Sequence, residues 1–358
     1  MNTGARRPPI FDGHNDTLLR MQSDGISFLE RNEEAGLDFP LAQQGGYAGA
    51  FFAVYIPPAG LKVPRKGADV ARLALASFAG QETDPPLPEL GYARRQAIGQ
   101  MAALFRVERE SGGRFAVVRT AAELEQALDA GIMAAVLHFE GAEPIDADLN
   151  GLEVFYRAGL RSIGIVHSRR NIFAHGVPYG FPLSPDTGPG LTKAGRRLVQ
   201  ACNRLGIMID LSHLNERGFW EVADLSNAPL VATHSCAHAI CPSSRNLTDE
   251  QLRAIGRTNG MVGLNFHVGF LRPDGAFDTD TPLDVLGQHI DHIAEVAGID
   301  CIGLGSDYDY IAAPRAIATA ADLPNLIQAL RDRGYSGDDL EKILYRNWVR
   351  VLRATWEE

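Results

Sequence analysis

The 358-residue sequence predicts an α/β fold, a (β/α)8 or TIM barrel, and two observations predict it. Eight short, nearly continuous apolar runs recur along the chain, and stretches of helix length separate most of them. Runs that stay apolar at every position suit parallel strands covered on both faces, whereas strands with one wet face alternate. Strand–helix alternation selects a parallel sheet, and eight such units suit a closed barrel. The alternative is a doubly wound open sheet. Its one glycine-rich signal, GGYAGAFF at 45–52, precedes a run where a dinucleotide-binding turn would follow one.

The first run, PIFDGHND (9–16), ends on His14 and Asp16. In extended chain residues i and i+2 share a face, so this pair projects together as two metal-ligand-grade groups. The competing reading is a polar turn in which Asp16 caps a helix starting at Thr17. The second run is AFFAVYI (50–56), followed at 57–130 by an insertion with Pro-rich ends, PPAGLKVP and DPPLPEL, around two helices, and a minor strand near 115–119. The third, MAAVLHFE (133–140), ends on Glu140. The fourth, RSIGIVH (161–167), ends on His167 and leads into a Gly/Pro-rich loop at 168–190, long enough to suggest function. IMIDLSH (207–213), LVATHS (230–235), MVGLNFH (261–267) and CIGLGSD (301–307) complete the eight. The intervening helical stretches include AELEQALDA, GLTKAGRRLVQACNRLG, NERGFWEVADLS, LTDEQLRAIGRTNG and PLDVLGQHIDHIAEVAG, several of which stop at Gly just before the next run. One barrel domain is expected over 1–358.

A hydrophobic fraction of 45% with 22% charged residues supports a large core. A net charge of −10 without a basic cluster argues against a nucleic-acid groove. No run is long enough to span a bilayer, Arg6–Arg7 are not followed by the apolar stretch of a secretory signal, and the cysteine usage suits a reducing compartment, so a cytoplasmic protein is expected. Cys202, Cys236, Cys241 and Cys301 are too few and scattered for a disulfide framework and read as buried thiols.

The C-terminal ends of barrel strands converge on one mouth, where barrel enzymes do their chemistry. Seven of the eight runs deliver a titratable group there: His14 with Asp16, Glu140, His167, His213, His234, His267 and Asp307. Packing alone does not place such groups at one end of one barrel, and a metal site does. Imidazole and carboxylate without thiolate suit Zn²⁺, with Mn²⁺ or Co²⁺ as substitutes. Three histidines and three carboxylates exceed the needs of one tetrahedral ion. Two ions roughly 3.5 Å apart, sharing a carboxylate, would use them all. His138 shares a strand face with Glu140 and is expected behind the site. His238, His289 and His292 read as surface or packing residues. His175, Arg169 and Arg170 are expected on a solvated loop. Trp348 and Trp356 suit a closing helix or an oligomer contact, which leaves a homodimer open.

Over essentially its whole length the sequence resembles the membrane (renal) dipeptidase family of the amidohydrolase superfamily. FDGHND, HFEGAEPI, GLRSIGIVHSRRN, GLTKAGRRLV, DLSHL, THSCAHAICPSSRNLTD, GLGSDYD and RNWVRVLRATW carry the resemblance. It implies that His14 and Asp16 bind a first zinc, that Glu140 bridges two, and that His213 and His234 bind the second. It further implies that His167 contacts substrate, that Arg245 in the RN turn does so too, and that Asp307 is catalytic. The chemistry expected of these residues is hydrolysis of a dipeptide with a free C-terminal carboxylate by a hydroxide held between the ions. Metal binding lowers the pKa of water from about 15.7 towards 7. Asp307 would carry the proton to the leaving amine, His167 would donate to the oxyanion, and Arg245 would hold the carboxylate. A D-residue at the C-terminal position stays open. Two departures lie at the mouth: His267 stands where the family usually has an aromatic after NF, and Tyr310 where it has Gly. They bear on side-chain specificity. No lipid-anchor signal or disulfide pattern of the membrane members is visible. The alternatives are an amidohydrolase acting on N-acyl amino acids, lactones or β-lactams, and a non-catalytic binding protein, which would be expected to have lost ligands.

Overall fold

One parallel sheet carries the architecture, in a computed structural model that describes residues 8–60 and 87–356. Its strands are β1 (Ile10–Asn15), β2 (Tyr47–Tyr55), β3 (Phe115–Val117), β4 (Met133–Glu140), β5 (Leu160–Gly164), β6 (Met208–Asp210), β7 (Val231–Ser235), β8 (Met261–Leu264) and β9 (Ile302–Leu304). The order β2-β1-β9-β8-β7-β6-β5-β4-β3, with a further β2–β4 pairing, closes eight of them into a barrel. That seam runs unbroken from Gly49↔Ala134 to Tyr55↔Glu140, which excludes the open sheet. The minor strand β3 stays outside the closure. It pairs with Met133–Ala135, while β5 pairs with β4 only from Leu137 onwards, so β3 covers an edge that would otherwise stand bare. The helix Leu90–Glu110 belongs to the insertion after β2; residues 61–86, where the rest of that insertion falls, lie outside the described residues.

Local sequence signals start and stop the helices. Thr120, Thr192 and Asn215 each accept a hydrogen bond from the backbone N–H three residues on, and Thr248 with Gln251 forms a capping box. Gly131 and Gly206 end their helices in the left-handed conformation, at φ 69° and 64°.

The barrel is dry where its strands begin and polar where they end. Phe11, Phe51, Val136, Met208, Val231 and Met261 form an apolar plug with Trp348, from the helix Asn347–Thr355. The Trp348 ring sits 5.1 Å from Phe51, and its Nε1 donates to Leu304 O at 3.0 Å. Trp356 Nε1 donates to Arg161 O, so both tryptophans are buried within the chain and the closing-helix reading holds. Above the plug the strands crowd together. A Cβ on Gly263 would lie 1.9 Å from Thr233 O, and one on Gly13 2.2 Å from the same oxygen.

Four runs outlast their strands by three residues. His167, His213, His267 and Asp307 each sit three residues past the last paired residue of β5, β6, β8 and β9. Ile165, Val166, Leu211 and Phe266 are nonetheless buried, because the segments beyond the strands fold over the mouth; apolarity there reports burial, not pairing. The same folding-over corrects the expectation for Arg169. It is buried, pairs with Glu143 at 3.2 Å and donates to Ile56 O, while Arg170 stays exposed. The cysteines are free and buried, and His289 is a packing residue inside the core.

Candidate active site

His14 lies in β1 and Asp16 just beyond it, at the N-cap position of the helix Thr17–Asp24. The helix begins where capping would place it, but the Asp16 side chain makes no cap bond. Its Oδ1 is buried with no hydrogen-bond partner, and so are both ring nitrogens of His14. Buried polar groups of a native protein are normally satisfied, so these atoms mark a place built for something else to bind.

Glu140, the last residue of β4, is the hub. Its Oε1 lies 2.9 Å from His213 Nε2, 3.5 Å from His234 Nε2, 3.6 Å from His14 Nε2 and 3.9 Å from His167 Nε2. His14 Nε2 is also 3.9 Å from Asp16 Oδ1 and from Asp307 Oδ1. His213 Nε2 and His234 Nε2 face each other at 3.0 Å. Ligands bound about 2.0–2.2 Å from a four-coordinate ion lie roughly 3.3–3.6 Å from one another; the distances from Glu140 Oε1 to His234 and His14 match such an edge, and the rest bracket it at 2.9–3.9 Å. Among the described residues, three groups around the mouth bring their potential ligand atoms within 4.8 Å of one another: His14, Asp16 and Glu140; His14, His234 and Asp307; Glu140, His167 and His213. A fourth, His14 with His138 and Asp210, lies beneath them.

The electrostatics agree. Burial first, then the other carboxylates, holds the Asp16 and Glu140 carboxyls well above their usual range, and Asp307 is raised to about 7. Burial likewise keeps His14, His167, His213 and His234 far below their usual value, hence neutral. The Arg245 guanidinium offsets only part of the raising of Glu140 and Asp307, and neutral imidazoles with carboxylates short of countercharge are the donor set a divalent ion requires.

Hydrogen bonds behind the cluster fix the rings. Nδ1 of His213 meets Ser168 Oγ at 2.9 Å, and Nδ1 of His234 meets Thr233 Oγ1 at 2.8 Å. The Thr233 hydroxyl donates to Asp210 Oδ2 at 2.6 Å, so the His234 ring must be the donor to it and its Nε2 lone pair faces the cluster. Such outer contacts orient metal-binding histidines. Asp210 also accepts from Thr233 N–H and the Ser212 hydroxyl, and lies 3.6 Å from His138 Nε2, which places His138 behind the site as expected.

Arg245 is buried beside the second histidine pair. Its Nη1 donates to Ser212 O and Ser235 Oγ, and its Nη2 to His234 O, so one end of the fork is already held. Nε is buried with no partner. His267 packs between Phe270 and Phe277, and Tyr310 contacts Ser23 and the Arg20 guanidinium.

Sequence reasoning missed residues that touch the cluster. Tyr179, from the loop after β5, places its hydroxyl 3.2 Å from His167 Nε2. Tyr55 packs 4.5 Å from the His167 ring, and Asn265 donates to Asp307. Asn265 directly follows β8, two residues before the end of its run, and carries no charge to set it apart from the titratable run ends.

A closed (β/α)8 barrel with neutral histidines and carboxylates gathered at its C-terminal mouth defines a metal-dependent hydrolase. The family profile described as membrane dipeptidase, peptidase family M19, matches residues 4–357. The chain belongs to this family, and with it to the metallo-dipeptidases of the amidohydrolase superfamily. It superposes with a TM-score of 0.89 on a metallopeptidase of family M19 called dipeptidase AC, at 46% identity over 97% of this chain and 99% of the other. A Rhodobacter sphaeroides metallopeptidase, solved with a phosphinate mimic of the dipeptide L-Ala-D-Ala, gives 0.90 at the same identity and coverage. An uncharacterised protein encoded in the pqqA 5′ region of Klebsiella pneumoniae is 47% identical over 259 residues, 72% of this chain and 96% of its own length.

Proposed function

We propose that the chain is a binuclear zinc dipeptidase acting on dipeptides with a free C-terminal carboxylate. The observation that carries this reading is the approach of four histidine Nε2 atoms to one oxygen of Glu140. His14 and Asp16 would hold one ion, His213 and His234 the other, and Glu140 would serve both. Bound there, two divalent ions would polarise the scissile carbonyl and lower the pKa of a water towards 7.

The remaining steps belong to the chain's own side chains. Asp307 takes the proton of the attacking water on a carboxylate oxygen and returns it to the leaving amine. His167, neutral and steadied by Tyr55 and Tyr179, donates a hydrogen bond to the oxygen that gains charge. Arg245 grips the substrate carboxylate through the Nε edge of its guanidinium, the other end being committed to backbone oxygens. The L-Ala-D-Ala mimic bound by the Rhodobacter sphaeroides relative supports a dipeptide substrate and a D-residue at its C-terminal position.

The test compares dipeptides with their C-terminal amides on zinc-reconstituted protein. Dipeptides should be cut and amides cut poorly. Arg245→Met should damage dipeptide hydrolysis by a factor corresponding to about 2–5 kcal/mol and spare most of the residual amide hydrolysis. Equal losses on the two substrates would make Arg245 a structural residue. Efficient cleavage of N-acyl amino acids with inert dipeptides would favour the broader amidohydrolase reading.

A further inference from the structure

Asn265 follows β8 directly and is fully buried. Its amide has one orientation, because Oδ1 accepts the N–H of His267 at 2.7 Å. That leaves the NH2 group facing Asp307, and Nδ2 donates to Asp307 Oδ2 at 2.8 Å. The other carboxylate oxygen, Oδ1, looks towards the cluster, 3.9 Å from His14 Nε2. Asp307 is held from behind as well: its backbone takes φ 65°, a left-handed conformation that costs an aspartate energy, and its N–H donates to His14 O at 3.0 Å.

We propose that Asn265 is a positioning residue for the Asp307 carboxylate. The terminal torsion of an aspartate is broad and nearly twofold, so a carboxylate without a directional partner presents either oxygen. The amide removes that freedom. Because Oδ2 is committed as acceptor to an N–H that never leaves, the proton in transit resides on Oδ1, the oxygen that faces the reacting groups. An amide suits this place because it donates at any working pH and does not compete for the proton. The inference rests on the reading of Asp307 as proton carrier.

Asn265→Leu removes the donor at nearly constant volume, and Asn265→Asp keeps the acceptor for His267 N–H while replacing the donor with an oxygen. Both are measured on a cleaved dipeptide in the wild-type chain and in an Asp307→Ala background, with bound metal quantified in every variant. In the wild-type chain kcat should fall about 10- to 100-fold, the range for losing a hydrogen bond to a charged group, with KM changed less than about twofold and metal content unchanged. In the Asp307→Ala background the same substitutions should change the residual kcat by less than about threefold, because the partner they act through is gone. Equal fold-losses in both backgrounds would overturn the proposal, as would an unchanged kcat or a loss that follows metal content or KM. Should Asn265→Leu fail to fold, Asn265→Asp decides. If Asp307→Ala alone keeps wild-type kcat, the reading of Asp307 falls instead, which is a separate result from additivity.

Discussion

Oε1 of Glu140 is surrounded by imidazole nitrogens, while burial and the neighbouring Asp16 and Asp307 push its carboxyl above the usual range. A carboxylate in that position is stable as an anion only beside positive charge, so under the proposed binuclear reading one residue should govern both ions. Glu140→Gln is expected to lower metal content at both sites when the protein is equilibrated with limiting zinc and assayed by elemental analysis. Loss of a single equivalent would mean that Glu140 serves one ion and that the bridging role is wrong. At this scale the groups brought together were legible for a simple reason: each is a titratable side chain closing an apolar run. Arg169 was not legible. Its surroundings in sequence are those of a solvated loop, and only the folding of that loop over the mouth pairs it with Glu143. Tyr179 was hidden in the same way.

The turn after β9 shows what an element contributes. Asp307 and Asp309 both have left-handed backbone, at φ 65° and 98°, and neither is glycine. Conformations of this kind cost about 1–3 kcal/mol each and persist where surrounding contacts enforce them. Here the contacts come from the Asp309 side chain. It accepts from Thr17 Oγ1 at 2.7 Å and Gly36 N–H at 2.9 Å, and pairs with the buried Arg20 at 3.2 Å. Asp16 N–H in turn donates to Tyr308 O, so one turn holds Asp307 and steadies the backbone of Asp16. Asp309→Ala strands the Arg20 charge in the core and should lower unfolding free energy by about 3–5 kcal/mol, read by urea titration. Adding Arg20→Met should restore part of the loss. A loss below about 1 kcal/mol in the single variant would show that other contacts hold the turn. The GSDYD string marks Asp307 as a candidate by its place after a strand. The role of its second aspartate depends on where the first helix lies against the turn, which no local pattern contains.

At the scale of the whole molecule, buried neutral histidines make stability depend on pH. His289 accepts from Ala237 N–H at Nδ1 and donates from Nε2 to Leu271 O, an arrangement that only the neutral ring can make. Burial lowers its pKa to about 4. An unfolded chain would take up that proton near pH 6.5, so between roughly 6.5 and 4 the unfolded state binds a proton the native state refuses. The stability from the neutral ring is complete above 6.5 and drains away as pH falls through this window, by about 3 kcal/mol at most. His289→Leu gives up two hydrogen bonds and lowers stability at neutral pH. It should also reduce the slope of unfolding free energy against pH by about one proton in that window, and an unchanged slope would place the titration elsewhere. The barrel itself was legible because its strands are buried on both faces and so are apolar throughout, and because caps and terminal glycines are local devices. Sequence by itself determined the order of strands and helices and the ligand-grade groups that close the runs. Tertiary structure decided which atoms meet: where pairing stops short of the mouth, which Arg245 nitrogens are already taken, and which oxygen of Asp307 Asn265 holds. Those are settled by closure of the barrel, whose β2–β4 seam pairs residues 85 positions apart in the chain, from Gly49↔Ala134 to Tyr55↔Glu140.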